Sequence, residues 1–351
     1  MRARPTGQAA REAVGRGHCM AHHGELVQGS FPCEEGVVPA LVTVPLPQLH
    51  ARAEFHPWRP DRADAPPHPQ RPRHPDGTGG HHHPVHPRQV SEVLDPGRGG
   101  VVDRGGVCAE ACREKAARAA GLTLRLCRSR GLPAARGGEL RIASDIPPGC
   151  GMGSSTADVV AAVRAVADAH GLRLSPREVS DLARRAETAC DPLAHGRRPV
   201  LFAQRHARVI RSWHRGFPPV LLVGCHASGG PVDTLALGAP EHTARERREC
   251  ARILHRLERA VVERDARLLG QAATCSALLN QARLPKPELV DLLEICRDVG
   301  GVGVQIAHSG TACAVMVDAR RPDAVHRARD ARTALDELGL PRTVETIWRN
   351  A

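Results

Sequence analysis

Residues 139–145, Glu-Leu-Arg-Ile-Ala-Ser-Asp, alternate apolar with polar positions as a half-buried strand does, and Val159, Val160, Val163, Val166 and Ala167 then recur at helical spacing. Between them lies Pro147-Pro148-Gly149-Cys150-Gly151-Met152-Gly153-Ser154-Ser155-Thr156, so strand, glycine turn and helix follow in that order. Ser175-Pro176-Arg177-Glu178 is a capping box with proline at the first helical position. It predicts a helix carried by Val179, Leu182, Ala183 and Ala186 and ended before Pro192. Short strands are expected over 199–204, 207–213 and 220–225, and a domain boundary near 215. Beyond it the pattern gives an arginine-rich helical region from 243 to about 281, a helix over 287–299 stopped by Gly300 and an apolar strand over 312–317. A helix over 322–338 and a last strand over 342–348 complete a β-α-α-β-α-β layout.

Two stretches lack such periodicity. Residues 1–16 are basic and poor in apolar side chains, which predicts a disordered arm. Residues 56–106 concentrate Pro, His, Gly and Arg, and read as a low-complexity insertion making a floppy excursion. Its histidines, among them His68, His74, His81, His82, His83 and His86, have no carboxylate or cysteine to complete a metal site. The helix after the insertion is expected over 110–121.

Composition narrows the partners. The formal charge is +11, but of 49 basic residues only Lys115 and Lys286 are lysine, and tyrosine is absent. That skew reads as composition bias, and with so few aromatic platforms nucleic-acid binding is not expected. Twelve scattered cysteines, with no apolar leader in the first 30 residues, read as reduced thiols in a cytoplasmic protein. No run of about 18 apolar residues is present to span a membrane.

The glycine turn supplies chemistry. Three glycines let backbone N–H groups approach an anion, the following helix offers unpaired amides, and Ser154 and Ser155 fall where a phosphate oxygen or Mg²⁺ would lie. There is no Gly-Lys-Ser/Thr and no dinucleotide fingerprint. At the end of the helix over 176–187, Glu187 and Asp191 stand four apart, with Pro192 pushing Asp191 onto the loop. One such acid can hold Mg²⁺ through oxygen and the other can accept a hydroxyl proton.

The pattern Pro-x-Gly-x-Gly-Met-Gly-Ser-Ser resembles the phosphate loop of the GHMP kinases, with Met152 where that family usually has Leu. Two further segments carry the resemblance. Gly24-Glu25-Leu26-Val27-Gln28-Gly29 is similar to the opening motif of the L-threonine kinase branch, and Ala307-His308-Ser309-Gly310-Thr311 to its third motif. The resemblance implies an α+β, two-domain fold: a ribosomal S5 domain 2-like N-terminal domain over 17–215 and a ferredoxin-like C-terminal domain over 216–351. It implies an enzyme that uses ATP and Mg²⁺ to phosphorylate a small hydroxylated substrate. L-threonine is the first choice, its product feeding the cobalamin side chain, and homoserine or another small alcohol is the runner-up. A catalytically silent nucleotide-binding regulator is the reading of a different class, and a homodimer is left open.

By the same resemblance ATP meets Pro147, Gly149, Gly151, Met152, Gly153, Ser154, Ser155 and Thr156. The metal meets Glu187 and Ser155, with Ser154 the alternative serine. Asp191 is the base, and Gly24, Glu25, Gln28, His308, Ser309 and Gly310 face the acceptor. One departure stands out. Relatives resembling mevalonate kinase place a lysine a few residues before the Gly-Glu, whereas here that neighbourhood holds His18, Cys19, His22 and His23. An arginine or histidine must take over its task, or the task goes undone.

Overall fold

The computed structural model describes residues 14–58, 88–94, 101–102, 107–228, 242–343 and 346–348. An antiparallel sheet runs through it, in the order Thr346–Trp348 (β11), Val220–His226 (β8), Ala312–Asp318 (β10), Gly303–Ile306 (β9), Gly15–Cys33 (β1), Gly36–Pro57 (β2), Gly138–Ser144 (β5), Arg88–Leu94 (β3) and Val101–Val102 (β4). The long strands β1 (Gly15–Cys33) and β2 (Gly36–Pro57) pair antiparallel, and β5 (Gly138–Ser144) pairs with β2. Three helices cover this half: α1 (Val107–Ser129), α2 (Ser154–Ala169) and α3 (Pro176–Glu187). Helix α2 is apolar on almost every side, so it sits sandwiched rather than on a surface. Gly17 of β1 allows the close approach, since a β-carbon there would lie 2.1 Å from the Ala161 carbonyl oxygen.

The insertion departs from expectation in part. Within 56–106, β2 continues to Pro57, β3 (Arg88–Leu94) pairs along the outer edge of β5, and β4 (Val101–Val102) pairs with β3. Those residues are sheet, not an excursion; its other residues lie outside the described ones, as do residues 1–13. Strand β1 begins at Gly15, inside the expected arm, and Arg16 is tied by its amide to Asp168. Helix α1 is about twice the expected length because Gly121 does not stop it.

A hairpin of β6 (Val200–Ala203) and β7 (Arg208–Ser212) leads to the second half. There β8 (Val220–His226), β9 (Gly303–Ile306), β10 (Ala312–Asp318) and β11 (Thr346–Trp348) pair antiparallel in the order fourth, first, third, second, a ferredoxin-like arrangement. The helices are α4 (Ala244–Glu263), α5 (Ala266–Asn280), α6 (Leu289–Asp298) and α7 (Ala324–Glu337). The helical region expected over 243–281 is thus two helices, broken where Arg264 takes φ 55° and Asp265 caps α5 through its side chain. Strand β9 was not expected, being a four-residue strand hidden among glycines.

Both faces of the second-half sheet are apolar. Leu221, Val223 and Cys225 of β8 pack with Val315 of β10 against α6 and α7, while Leu222 and Met316 pack with α4, α5 and residues of β1 and β2. Burial on both sides explains why these strands read as continuous apolar runs. The two halves of the sheet join at one bridge, Glu25 of β1 opposite Ile306 of β9.

Candidate active site

The ladder between β1 and β2 is irregular over the site. Its register shifts at Met20/Ala21, His22/Glu25 and Glu25/Val27, and Gly24 takes φ 57°. On a regular strand residues three apart point to opposite faces. The bulge removes that constraint, so His22 and Glu25 converge, with Nδ1 and Oε1 3.8 Å apart. His23 turns elsewhere, to Gln305 at 2.9 Å and Thr343 at 2.8 Å.

The glycine turn lies against this bulge. Gly149, Gly151 and Gly153 have φ of 73°, 77° and 74°, so α2 starts at Ser154 and its first intrahelical donor is the Ala157 amide, bonded to the Gly153 carbonyl. The Ser154, Ser155 and Thr156 amides come before it. A β-carbon on Gly151 would lie 2.1 Å from the Ser309 carbonyl oxygen, and one on Gly310 would lie 2.3 Å from the Cys150 carbonyl carbon. The turn and the third motif are therefore interlocked, and the Thr311 and Ala312 amides both donate to the Cys150 carbonyl. The Met152 side chain is in the core, and its carbonyl accepts from the His22 amide at 3.2 Å.

The two acids sit as the spacing implied. Glu187 ends α3 and is 5% exposed. Its Oε2 accepts from the Ser155 hydroxyl at 2.8 Å, while Oε1 is buried without a hydrogen-bond partner among the described residues. Burial pushes its carboxyl up to about 7, against the pull of Ser155 and Thr156. Asp191 is extended at the head of the 3-10 turn Pro192–His195, and its amide donates to the Thr156 hydroxyl at 3.3 Å. Its Oδ2 is 3.2 Å from His22 Nε2.

Charges in this cluster are coupled. Burial alone would lower the His22 ring, but the Asp191 carboxylate, then Glu25, push it up to about 9. Burial would raise Asp191, yet His22 holds it below the ordinary value. Glu25 is pushed up to about 7 by burial, with the opposing pull of His22. Ligand atoms of His22, Glu25 and Asp191 lie within 4.8 Å of one another, as in a metal site. A doubly protonated imidazole has no lone pair for a metal, so the arrangement fits an ion pair better.

Residues of the first and third motifs close the ring. The His308 amide donates to the Glu25 carboxylate, and His308 Nδ1 is 2.6 Å from Gln28 Oε1. Gln28 is 4% exposed, and its Nε2 has no partner among the described residues. The Gly310 carbonyl accepts from the Lys286 ammonium, and Lys115 Nζ lies 3.5 Å from Ser155 Oγ. Sequence reasoning singled out neither lysine as a site residue and left His22 as one of three candidates. The rarity of lysine in this chain was the available signal. A separate cleft of about 600 Å³, lined by Pro32, Arg177, His195 and Arg208 among others, contains none of these residues.

A glycine loop feeding a buried helix, beside two acids and a ferredoxin-like half, defines a class of two-part α+β folds. The GHMP kinases N terminal domain matches residues 114–197 and the GHMP kinases C terminal domain matches residues 257–334, so both halves of the chain are similar to the GHMP kinases. An L-threonine kinase of Citrobacter freundii is 29% identical over 199 residues, 53% of this chain and 64% of the relative. One of Salmonella typhimurium is 28% identical over 207 residues, 54% and 64%. The match thus spans just under two thirds of the length of each. Among solved structures, homoserine kinase of Cytophaga hutchinsonii aligns with TM-score 0.57 and 12% identity, covering 97% of this chain and 98% of that one. Mevalonate kinase of Methanococcus jannaschii gives 0.57 and 12%, covering 97% and 100%. At that identity the likeness is one of fold. Among the described residues no helix is long and apolar enough to cross a membrane, and ten cysteines are free.

Proposed function

We propose that the protein is an ATP-dependent kinase for the hydroxyl of a small alcohol, with L-threonine, yielding O-phospho-L-threonine, as the first acceptor. The choice of L-threonine rests on the names of the two relatives and on the Gly24–Gly29 and Ala307–Thr311 motifs. The observation that carries the kinase reading is Asp191. It is fastened to α2 by its amide on Thr156 and paired with His22, whose ring lies against Gly153 of the glycine turn.

The backbone amides of the turn and of the first turn of α2 would bind the β- and γ-phosphates. Ser155 and the unpartnered Glu187 Oε1 are the hard oxygen donors Mg²⁺ prefers, and the metal would supply charge neutralisation on the phosphates. The acceptor oxygen bonds to the γ-phosphorus as the bond to the β–γ bridging oxygen breaks and ADP leaves. The hydroxyl proton passes to an Asp191 carboxylate oxygen. Because His22 keeps Asp191 weakly basic, most of the rate comes from positioning, with proton acceptance late. Glu25, Gln28 and His308 would orient the acceptor.

The test is ADP release over a panel of L-threonine, L-homoserine, L-serine, mevalonate and galactose, with the product identified by phosphorus NMR. The highest kcat/KM is expected for L-threonine. A better rate with L-homoserine would replace the acceptor, and ATP binding without turnover of any alcohol would leave a silent nucleotide-binding protein.

A further inference from the structure

Arginine fills 47 of the 49 basic positions, and the two lysines are both at the site. A chain that chooses arginine almost everywhere keeps lysine where a compact ammonium fits and a planar five-donor fork does not. Lys286 has an evident task. It is 6% exposed, and its ammonium fastens the Gly310 carbonyl, which abuts the glycine turn.

Lys115 is different. It projects from α1, which packs on α2, and lies 3.5 Å from Ser155 Oγ, a long contact to a hydroxyl whose hydrogen already goes to Glu187. Among the described residues that is the one hydrogen-bond partner of a group with three donors. The ammonium therefore stands beside the first turn of α2, within electrostatic reach of the Glu187 carboxylate whose Oε1 has no partner, with bonding capacity to spare. An anion bearing several oxygens completes both sets.

We infer that Lys115 is a direct ligand of the terminal phosphates of the nucleotide. The inference rests on the kinase reading above. AMP provides the discriminating probe, because it shares the base, ribose and α-phosphate with ATP but lacks the groups Lys115 would meet.

The experiment is calorimetry of the wild-type protein and of Lys115→Met, Lys115→Gln and Lys115→Arg with ATP, ADP and AMP, alongside thermal unfolding. Loss of a charge-assisted hydrogen bond is expected to weaken ATP binding by about tenfold to a hundredfold in the Met and Gln variants. AMP affinity and melting temperature should stay unchanged, and Arg should restore only part of the loss. Equal ATP affinity in wild type and both neutral variants overturns the inference alone, as does an equal loss for AMP. Wild-type protein that binds no ATP overturns the kinase reading, and this inference with it.

Discussion

His22 Nε2 stands 3.2 Å from Asp191 Oδ2, a buried imidazole against a carboxylate whose side chain is 25% exposed. The bulge that carries His22 also brings Glu25 to it, so one cation answers two acids.

Replacing His22 with Gln should lower kcat by about tenfold to a thousandfold while leaving ATP affinity nearly intact, because Asp191 loses its orienting partner. The pH dependence has a definite sign. His22 is raised from 6.5 to about 9 in the folded protein, so its contribution to stability is full below about 6.5 and is lost as pH rises through about 9. Asp191 is lowered, so its own contribution is present above about 3.8 and is lost on acidification. Urea midpoints from pH 6 to 10 should fall for wild type and stay flatter for His22→Gln; parallel curves would remove the pair from the account.

Glu187→Gln and Asp191→Asn should fail differently. In the Gln variant excess Mg²⁺ should partly restore turnover. In the Asn variant turnover should drop by about two to four orders of magnitude with no rescue. Without metal, Glu187 is raised to about 7, so its ionised form costs stability as pH rises from about 4.5 through 7. Melting in EDTA should show Glu187→Gln gaining on wild type between pH 5 and 8. A constant gap, or Mg²⁺ rescue of Asp191→Asn, would contradict these roles.

Gly151→Ala tests why the turn needs glycine. From sequence the expected reason is close approach to phosphates, but the added carbon meets the Ser309 carbonyl oxygen first. The variant should lose stability by about 2 kcal/mol or more even without nucleotide. Gly171→Ala is the control, since Gly171 also has positive φ, 63°, but open space around it, and should lose only about 1 kcal/mol. Similar urea midpoints for the two variants would discard the interlock.

Deleting residues 61–87 should leave expression and turnover intact, because that tract is too poor in apolar side chains to contribute to a core. Deleting 61–100 removes β3 and bares the edge of β5, which should bring aggregation. Size-exclusion chromatography of both deletions decides it, and a monodisperse longer deletion would show β3 to be dispensable.

Sequence carried most of the local elements because their cause is local. The capping box at Ser175 forms as written, and Pro192 leaves Asp191 extended. The glycines at 149, 151 and 153 are all left-handed. What stayed hidden depends on distant partners. Strand β3 has no apolar signature of its own and is made by the edge of β5, and β9 is a strand because β10 lies beside it. The choice of His22 over His18 and His23 depends on a bulge whose only local mark is Gly24. Lys115 lies 40 residues from Ser155, a separation only the helix packing closes.

The bridge between Glu25 and Ile306 leaves the seam of the sheet with little ladder of its own. What spans it instead are contacts in and around the site: the Glu25 carboxylate takes the His308 amide, His23 takes Gln305, and the Cys150 carbonyl takes the Thr311 and Ala312 amides. The candidate site and the mortar between the halves thus adjoin and share the Glu25 carboxylate. A substrate seated there reinforces a structural joint, so occupancy should report itself as resistance to unfolding, and a screen by thermal stabilisation can rank acceptors without any turnover.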